Sequence, residues 1–235
     1  MNPFDDIDLV TLDLDGTLWD VWPTIARAEE RLHAWLHEHF PRVAEDHTRI
    51  SLRQVNADAA RSDPSIAHDV TALRLGGLRL AALRAGYSDA EAETAAVGGF
   101  EQFIAERNRV ELFPGAAELL AALSGRFPLV ALSNGNADVD EVGIGEHFAF
   151  AINAREAGTR KPHPAMFELA CARAEVPAAR TLHIGDEFGS DILGAQAAGV
   201  ASLWYNPTRE SPPRPVEGMT TVSALNEILA FLEPR

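Results

Sequence analysis

The sequence predicts an α/β fold in which a helical domain is inserted into a parallel sheet. Five short runs rich in apolar and β-branched residues are each bounded by turn or helix signals, and helical patterns separate the later runs. Nearly continuous apolar character, as in Leu9–Leu12, is typical of strands that are buried on both faces of a parallel sheet. The stretch from about Leu18 to Leu112 contains no clear strand and has helical periodicity instead.

The predicted sheet alternates strands with helices, an order that favours parallel strands joined by right-handed crossovers. The strands are predicted over Leu9–Leu12, Leu129–Leu132, Phe148–Ile152, Thr181–Ile184 and Ala201–Tyr205. The helices between them are predicted over Ala116–Leu123, Asn136–Gly143, Pro164–Ala174 and Ser190–Ala198. A surface loop over Ser211–Pro215 precedes a last helix.

The inserted block begins with a helix whose apolar face is formed by Ile25, Ala28, Leu32, Trp35 and Leu36. Further helices are predicted over Ala72–Ala85 and over Asp89–Arg107, the second with Ser88 as its N-cap. Phe113-Pro114-Gly115 marks the return to the sheet. We therefore expect a core domain over residues 1–18 and 113–235 and a helical cap over residues 19–112.

The composition is ordinary for a folded globular protein, with 46% hydrophobic and 23% charged residues in a chain of 235. A net charge of -15 argues against binding to nucleic acid or to an anionic membrane, because both require a basic face. A small anionic substrate remains compatible with this charge, since a few cations in a cleft can outweigh a distant acidic surface.

Features that report on compartment point to the cytoplasm. Cys171 is the only cysteine, so no intrachain disulfide can form. The first eight residues are acidic and contain Pro3, unlike the basic and apolar start of a signal peptide. No apolar run approaches the roughly 20 residues of a membrane span. We expect a cytoplasmic enzyme, as a monomer or a dimer.

Polar side chains follow four of the predicted strands, at the sheet edge where open parallel sheets bind ligands. After the first strand, Asp13-Leu14-Asp15-Gly16-Thr17 puts two carboxylates beside a tight turn. Such a pair suits a nucleophile beside a general acid, or a metal site, although a turn with solvated acids has the same sequence. After the second strand, Ser133-Asn134-Gly135 offers a hydroxyl and backbone N–H groups for phosphoryl oxygens, and is also a common loop tripeptide.

Lys161 is the one lysine beside 19 arginines, and it follows the third strand. A compact ammonium can neutralise a transferring phosphoryl group, whereas a lysine before proline is more often a surface residue. After the fourth strand, Asp186 and Asp191 offer carboxylates for Mg²⁺, directly and through water, although acids also favour helix N-termini. The four motifs in order predict one phosphoryl-transfer site.

This set of motifs resembles that of the haloacid dehalogenase-like hydrolase superfamily, over the whole chain. The matching segments are Asp13-x-Asp15-Gly16-Thr17, Ser133-Asn134-Gly135, Lys161-Pro162 and Gly185-Asp186-x4-Asp191. The resemblance implies a Rossmann-like sheet with strand order 5-4-1-2-3 and an α-helical cap at Leu18–Leu112.

The resemblance also implies residue roles. Asp13 would attack phosphorus, and Asp15 would protonate the leaving oxygen and then activate the water that hydrolyses the aspartyl-phosphate. Mg²⁺ would be held by Asp13, the backbone carbonyl of Asp15 and Asp186, with Asp191 in support, while Glu187 stays ambiguous. The phosphoryl oxygens would be bound by Ser133, the Asn134 amide and Lys161.

The branch of the superfamily is predicted from fewer residues. True dehalogenases lack an acid at Asp15 and the metal-binding fourth motif, so a phosphatase is favoured. A phosphomutase, a 2-haloacid dehalogenase of the same fold and a noncatalytic binding protein stay open as alternatives. Similarity to phosphatases of flavin mononucleotide and 5-amino-6-(5-phospho-D-ribitylamino)uracil lies in three segments: His68-Asp69-Val70-Thr71, Ser133-Asn134-Gly135-Asn136-Ala137 and Gly145-Glu146-His147-Phe148. Many members of that branch have a second acid at the position of Gly16.

The expected ligand is a small phosphorylated metabolite, and the cap is expected to contact its leaving group. Trp19 and Trp22 follow the first motif, where an indole can stack on a flat ring, although hinge packing is an alternative. His68, Asp69 and Arg74 could contact a polyol chain or a ring edge, and a solvated helix face is the alternative for them.

Overall fold

The computed structural model describes residues 2–216 and 218–232, and its centre is a parallel sheet of six strands. The strands are β1 (Leu9–Leu12), β2 (Leu129–Ser133), β3 (Phe150–Asn153), β4 (Thr181–Gly185), β5 (Ala201–Tyr205) and β6 (Thr220–Val222). Their spatial order is β3-β2-β1-β4-β5-β6, so the predicted α/β fold and the order of its first five strands are confirmed.

Two details of the sheet differ from the prediction. β3 begins two residues later than expected, because the Phe148 N–H bonds to the carbonyl of Gly145 and closes a 3₁₀ turn over Gly145–His147. The sixth strand was not predicted. It has only three residues, too few for an alternating pattern to be recognised.

The central strand fixes where the polar strand ends meet. β1 is buried along its whole length and pairs with β2 on one side and β4 on the other. Leu12 is in register with Ala131 and with Ile184. Because all strands are parallel, the residues that follow these positions emerge at one edge of the sheet.

The helices begin and end close to the expected positions where apolar periodicity is strong. They are α1 (Val21–His39), α2 (Pro41–Asp46), α3 (Arg49–Ser62), α4 (Val70–Arg84), α5 (Asp89–Arg107), α6 (Ala116–Ser124), α7 (Val139–Val142), α8 (Ala154–Ala157), α9 (Ala165–Ala174), α10 (Leu193–Ala197) and α11 (Leu225–Leu232). None of the helices in the described part of the chain is long and apolar enough to cross a membrane.

Two predicted helices are shorter in the structure. The helix expected over Asn136–Gly143 is reduced to the four residues of α7, and Gly143 ends it with a φ of +86°. The helix expected over Ser190–Ala198 begins with a π-helical turn, Phe188–Ile192, before α10. In that turn the Asp191 carboxylate bends back to accept the backbone N–H of Glu187.

The chain divides into two compact units. The first contains residues up to Asp20, Glu111–Gly135 and residues from Val139 onward, and it includes the sheet. The second contains Val21–Val110 with Asn136–Asp138. Trp19 lies in the first unit, since it forms isolated β-bridges with Asp15 and with Leu112.

The helical unit is organised around α1, α4 and α5. The predicted apolar face of α1 packs in its core, with Ala28, Leu32 and Leu36 buried. Ser88 caps α5 as predicted, in a capping box with Glu91. α2 and α3 were not predicted, although Leu52, Val55 and Ala59 of α3 are buried at helical spacing.

Candidate active site

Asp13 and Asp15 leave β1 in different environments. The Asp13 N–H continues the sheet by bonding to the carbonyl of Ile184 at 2.9 Å, which holds the residue at the sheet edge. Its buried carboxylate accepts a hydrogen bond from the Lys161 ammonium at Oδ1, at 2.6 Å. Asp15 is half-buried and accepts the indole N–H of Trp19 at 2.8 Å. The two acids are therefore held by different partners.

The turn after these acids requires glycine for two reasons. Gly16 has a φ of +82°, a conformation that L side chains rarely adopt. A Cβ atom at this position would lie 2.3 Å from Oδ2 of Asp186. The next residue, Thr17, donates its hydroxyl to Oδ1 of Asp186 at 2.8 Å. The first and fourth motifs are thus in direct contact.

Asn134 positions Lys161 through its main chain. The Asn134 side chain accepts the Lys161 N–H at 2.7 Å and donates to the Lys161 carbonyl at 3.0 Å. The buried ammonium then bridges Asp13 and Asp191, at 2.6 and 2.7 Å. Ser133 is also buried, and its hydroxyl accepts the N–H of Gly135 at 2.9 Å.

The fourth motif holds two carboxylates with different exposure. Asp186 is half-buried, and the Trp204 indole donates to its carbonyl at 2.8 Å. Asp191 is fully buried, and its Oδ2 accepts the Glu187 N–H at 2.9 Å. Gly185 makes room for it, since a Cβ there would lie 2.4 Å from its Cγ. The exposed Glu187 carboxylate accepts the hydroxyl of Ser190 at 2.6 Å.

Three carboxylates converge at this edge of the sheet. Ligand oxygens of Asp13, Asp186 and Asp191 all lie within 4.8 Å of one another. Lys161 is the cation that contacts two of them, so the four side chains carry a net charge of -2 when all are ionised. Hard oxygen donors with an excess of two negative charges fit a divalent cation such as Mg²⁺.

The electrostatics of the cluster follow from burial and from the spacing of the acids. Burial raises the pKa of Asp13 well above its ordinary value, Lys161 opposes this, and the two other carboxylates add to it. Burial and Asp191 raise the pKa of Asp186 to about 6. Burial acts against the charged form of Asp191, but Lys161 and His183 outweigh it, so the Asp191 pKa is lowered. Asp191 and Lys161 are therefore a charged pair.

His183 is a residue of the site that sequence reasoning missed. It lies on β4, fully buried, where its Nε2 is 3.3 Å from Oδ1 of Asp191 and its Nδ1 is 2.8 Å from the hydroxyl of Thr11. Burial lowers the pKa of His183. A neutral imidazole that donates from Nε2 to a carboxylate must accept at Nδ1, so the Thr11 hydroxyl is the donor. A polar residue inside an apolar strand was the available signal.

Comparison with known proteins identifies the family. The family model of the haloacid dehalogenase-like hydrolases matches residues 7–199. The chain belongs to the haloacid dehalogenase-like hydrolase family. The match includes the strands β1 to β4, the helices up to α10 and every residue of the four motifs.

Individual relatives of this hydrolase support the same assignment. It is 32% identical over 206 residues to the 5-amino-6-(5-phospho-D-ribitylamino)uracil phosphatase YigB of Escherichia coli K12, covering 88% of this chain and 86% of that protein. It is 27% identical to a phosphoglycolate phosphatase of Pseudomonas fluorescens Pf-5, covering 90% and 76%. A crystal structure described as a 2-haloacid dehalogenase from Pseudomonas syringae pv. tomato DC3000 superposes with a TM-score of 0.89 at 39% identity, covering 95% and 98%.

The cap residues expected to contact substrate lie in varied environments. Trp19 is fully buried and its indole N–H is bound to Asp15, as the packing alternative predicts, and its contact with substrate stays a prediction. Trp22 is 71% exposed. His68 is half-buried beside the start of α4. Arg74 is half-buried within the helical unit, with its guanidinium carbon 3.5 Å from the ring centroid of Phe103.

Two of the segments that resemble one phosphatase branch are joined in the helical unit. Asp69 caps α4 by accepting the N–H groups of Thr71 and Ala72, at 2.9 and 3.0 Å. The Asn136 side chain donates to the hydroxyl of Thr71 at 3.2 Å. These residues of the hydrolase thus have a clear structural role, whatever they contribute to substrate selection.

Proposed function

We propose that this hydrolase is a Mg²⁺-dependent phosphatase that cleaves the monoester of a small phosphorylated metabolite through an aspartyl-phosphate on Asp13. The observation that carries the proposal is the convergence of the Asp13, Asp186 and Asp191 carboxylates, two of which bind the Lys161 ammonium. Such a cluster is suited to a phosphoryl dianion bound beside a divalent cation.

Asp13 has an oxygen available for the nucleophilic step. Its Oδ1 accepts the hydrogen bond from Lys161, while Oδ2 accepts none from the described residues. Attack of Oδ2 forms a bond to phosphorus as the bond to the leaving oxygen breaks, and Asp15 donates a proton to that oxygen. Asp15 then accepts a proton from water, which attacks phosphorus, releases inorganic phosphate and regenerates Asp13.

The direct ligands of Mg²⁺ in this proposal are Asp13 and Asp186, with the carbonyl of Asp15. Asp191 supports them from behind, because its Oδ1 already interacts with Lys161 and His183 and its Oδ2 with a backbone N–H. When bound, the cation supplies charge stabilisation for the transferring phosphoryl group and keeps Asp13 ionised. The last effect matters since burial otherwise favours the protonated, unreactive acid.

The remaining motif residues hold the phosphoryl oxygens. Lys161 offers an ammonium fixed between two carboxylates, and Ser133 offers the O–H of a hydroxyl whose oxygen already accepts the Gly135 N–H. The Asn134 side chain forms both of its hydrogen bonds with the main chain of Lys161, so the backbone N–H of Asn134 is the group that would contact phosphate. Asn134 therefore contributes by positioning the lysine.

The substrate class is proposed from the relatives. YigB is named for a phosphorylated ribityl compound, and the other relatives reported above include a phosphatase of a small phosphorylated acid. We propose 5-amino-6-(5-phospho-D-ribitylamino)uracil or flavin mononucleotide as the first substrates to test. A phosphomutase is the alternative with the same two aspartates, and it is distinguished by phosphoryl transfer to a second substrate hydroxyl without phosphate release.

A dehalogenase is a second candidate because of the similarity to the structure described as a 2-haloacid dehalogenase. Halide needs no proton when it leaves, so Asp15 would have no role in that reaction. The leaving oxygen of a phosphate ester does need a proton, so the presence of Asp15 favours phosphate ester hydrolysis over halide displacement.

The test is phosphate release from p-nitrophenyl phosphate, flavin mononucleotide and a panel of about one hundred phosphorylated metabolites, with Mg²⁺ and with chelator. We expect Mg²⁺-dependent release that Asp13→Asn abolishes, with unchanged folding. Halide release from 2-chloropropionate that is insensitive to chelator, without phosphate release, would identify the dehalogenase instead. Activity retained by Asp13→Asn would overturn the nucleophile assignment.

A further inference from the structure

A recess in the helical unit is lined by three arginines and one carboxylate. Arg49 and Arg53 lie one turn apart on α3, Glu29 lies on α1 and Arg74 on α4, with three leucines and an asparagine completing the wall. The recess is narrow and partly open to solvent. Three guanidinium groups against one carboxylate give the site a net charge of +2, in a chain whose net charge is -15.

The single carboxylate of this recess is already used. Arg53 binds Glu29 in bidentate fashion, with Nε to Oε1 at 2.7 Å and Nη2 to Oε2 at 2.6 Å. Glu29 is buried, so this pair accounts for its charge. No equivalent acid serves the other two arginines.

Arg74 is left with unused hydrogen-bond donors. Within residues 2–216 and 218–232, no oxygen accepts a hydrogen bond from its guanidinium and no carboxylate lies within 4.0 Å of it; its close contact is the Phe103 ring. Burial lowers its pKa to about 10, with Arg107 and Arg53 adding to the effect and Glu29 opposing it. A guanidinium carries five N–H donors, and a partly buried one without acceptors from the protein loses hydrogen bonds that water cannot fully replace. The exposed Arg49 likewise makes no ion pair among the described residues.

In a second recess of the same unit, both arginines bind a carboxylate. It is lined by Arg61 and Arg84 together with Asp58. Both arginines bind that carboxylate, Arg84 at 2.6 Å. Arg74, by contrast, binds no carboxylate among the described residues.

We propose that the recess of Arg49, Arg53 and Arg74 binds a small oxyanion of the phosphate or sulfate type. Guanidinium groups match the oxygens of such anions with paired N–H donors. A dianion would neutralise the net charge of +2 and supply the acceptors that Arg74 lacks. The lining of the recess shares no residue with the carboxylate cluster of the sheet, and the proposal does not depend on the proposed phosphatase activity.

Sulfate is a suitable probe, because it is not hydrolysed and chelator can be present. The ¹H–¹⁵N signal of the Arg74 Nε–H, assigned by its loss in Arg74→Met, reports on this recess alone. We expect a saturable shift of that signal with sodium sulfate, absent with sodium chloride at equal ionic strength. Arg49→Gln should weaken the apparent affinity at least about tenfold by removing a charged donor. No shift of the Arg74 signal, or the same shift with chloride, would overturn the proposal.

Thermal stability provides an independent readout. Arg74→Met removes the partly buried positive charge of Arg74. Without sulfate, the melting temperature of this variant should therefore equal or exceed that of the parent protein. Sulfate stabilises proteins generally because it is excluded from their surface, so both proteins should melt at a higher temperature in sulfate. Binding in the recess should make this increase larger for the parent than for Arg74→Met. Arg79→Met is the matched control on the same helix, since Arg79 pairs with the exposed Asp89, and it should respond to sulfate as the parent does. Equal gains for the parent and Arg74→Met would contradict the site.

Discussion

Neutralising Asp186 should stabilise the metal-free protein while removing its response to Mg²⁺. Its pKa is raised from 3.8 to about 6, chiefly by burial and next by Asp191. At neutral pH the folded protein therefore holds Asp186 as a carboxylate in surroundings that favour its protonated form. A pKa shift of this size lowers the free energy of unfolding at pH 7 by at most about 3 kcal/mol.

The sign of the pH dependence follows from the direction of the shift. Because the folded pKa lies above the unfolded one, the contribution of Asp186 to stability is fully present below about pH 4. It is lost as pH rises through about 6. The difference in unfolding free energy between Asp186→Asn and the parent should therefore be small at pH 4 and reach up to about 3 kcal/mol in favour of the variant at pH 7.5.

The substitution preserves the neighbouring contacts. An asparagine oxygen can still accept the Thr17 hydroxyl, and the bond from Trp204 goes to the main chain of residue 186. Urea unfolding in chelator at several pH values measures the effect, with Glu187→Gln as a control for loss of an adjacent exposed acid. Mg²⁺ should raise the stability of the parent but not of Asp186→Asn. A variant that is less stable than the parent at pH 7.5 in chelator would refute the electrostatic reasoning.

Two further substitutions test how the cluster is positioned. Gly16→Ala introduces a Cβ 2.3 Å from Asp186, so we expect a stability loss of about 1–2 kcal/mol and a higher Mg²⁺ requirement. The control is Gly143→Ala, where φ is also positive but no atom lies within 4 Å of the new Cβ, so stability should fall while the Mg²⁺ requirement stays unchanged. Equal Mg²⁺ titrations for the two variants would contradict the contact between residue 16 and Asp186. His183→Phe keeps an aromatic ring at this position but removes the hydrogen-bond donor to Asp191, so kcat should fall about tenfold with little change in KM. His183→Gln restores a donor and should recover part of the kcat. An unchanged kcat in His183→Phe would show that the hydrogen bond has no role in positioning Asp191.

The sheet was predictable because its strands are short apolar runs, and a strand buried on both faces gives a strong signal. Leu9–Leu12 and Ala201–Tyr205 were predicted to the residue. The helices α2 and α3 were missed because each offers few apolar residues, one buried in α2 and three in α3, so tertiary packing decides the outcome. The three-residue β6 depends on its pairing with β5.

The site was predictable as a set of residues but not as a set of contacts. Motif order at strand ends pointed to Asp13 and Asp186 before their distance was known. That Asn134 would bind the main chain of Lys161 could not be predicted, because a side-chain orientation depends on the loop that carries it. The buried indole of Trp19 is a similar case, since its position after the first motif fits both stacking and packing.

Covalent phosphorylation of Asp13 is the step on which the proposed chemistry depends most directly. Rapid quenching during turnover of a phosphorylated substrate, followed by borohydride reduction and peptide mass spectrometry, converts an aspartyl-phosphate to homoserine at its position. We expect homoserine at residue 13, and none there in Asp13→Asn. Phosphate release without any modification at residue 13, or with modification at Asp15 instead, would contradict the mechanism.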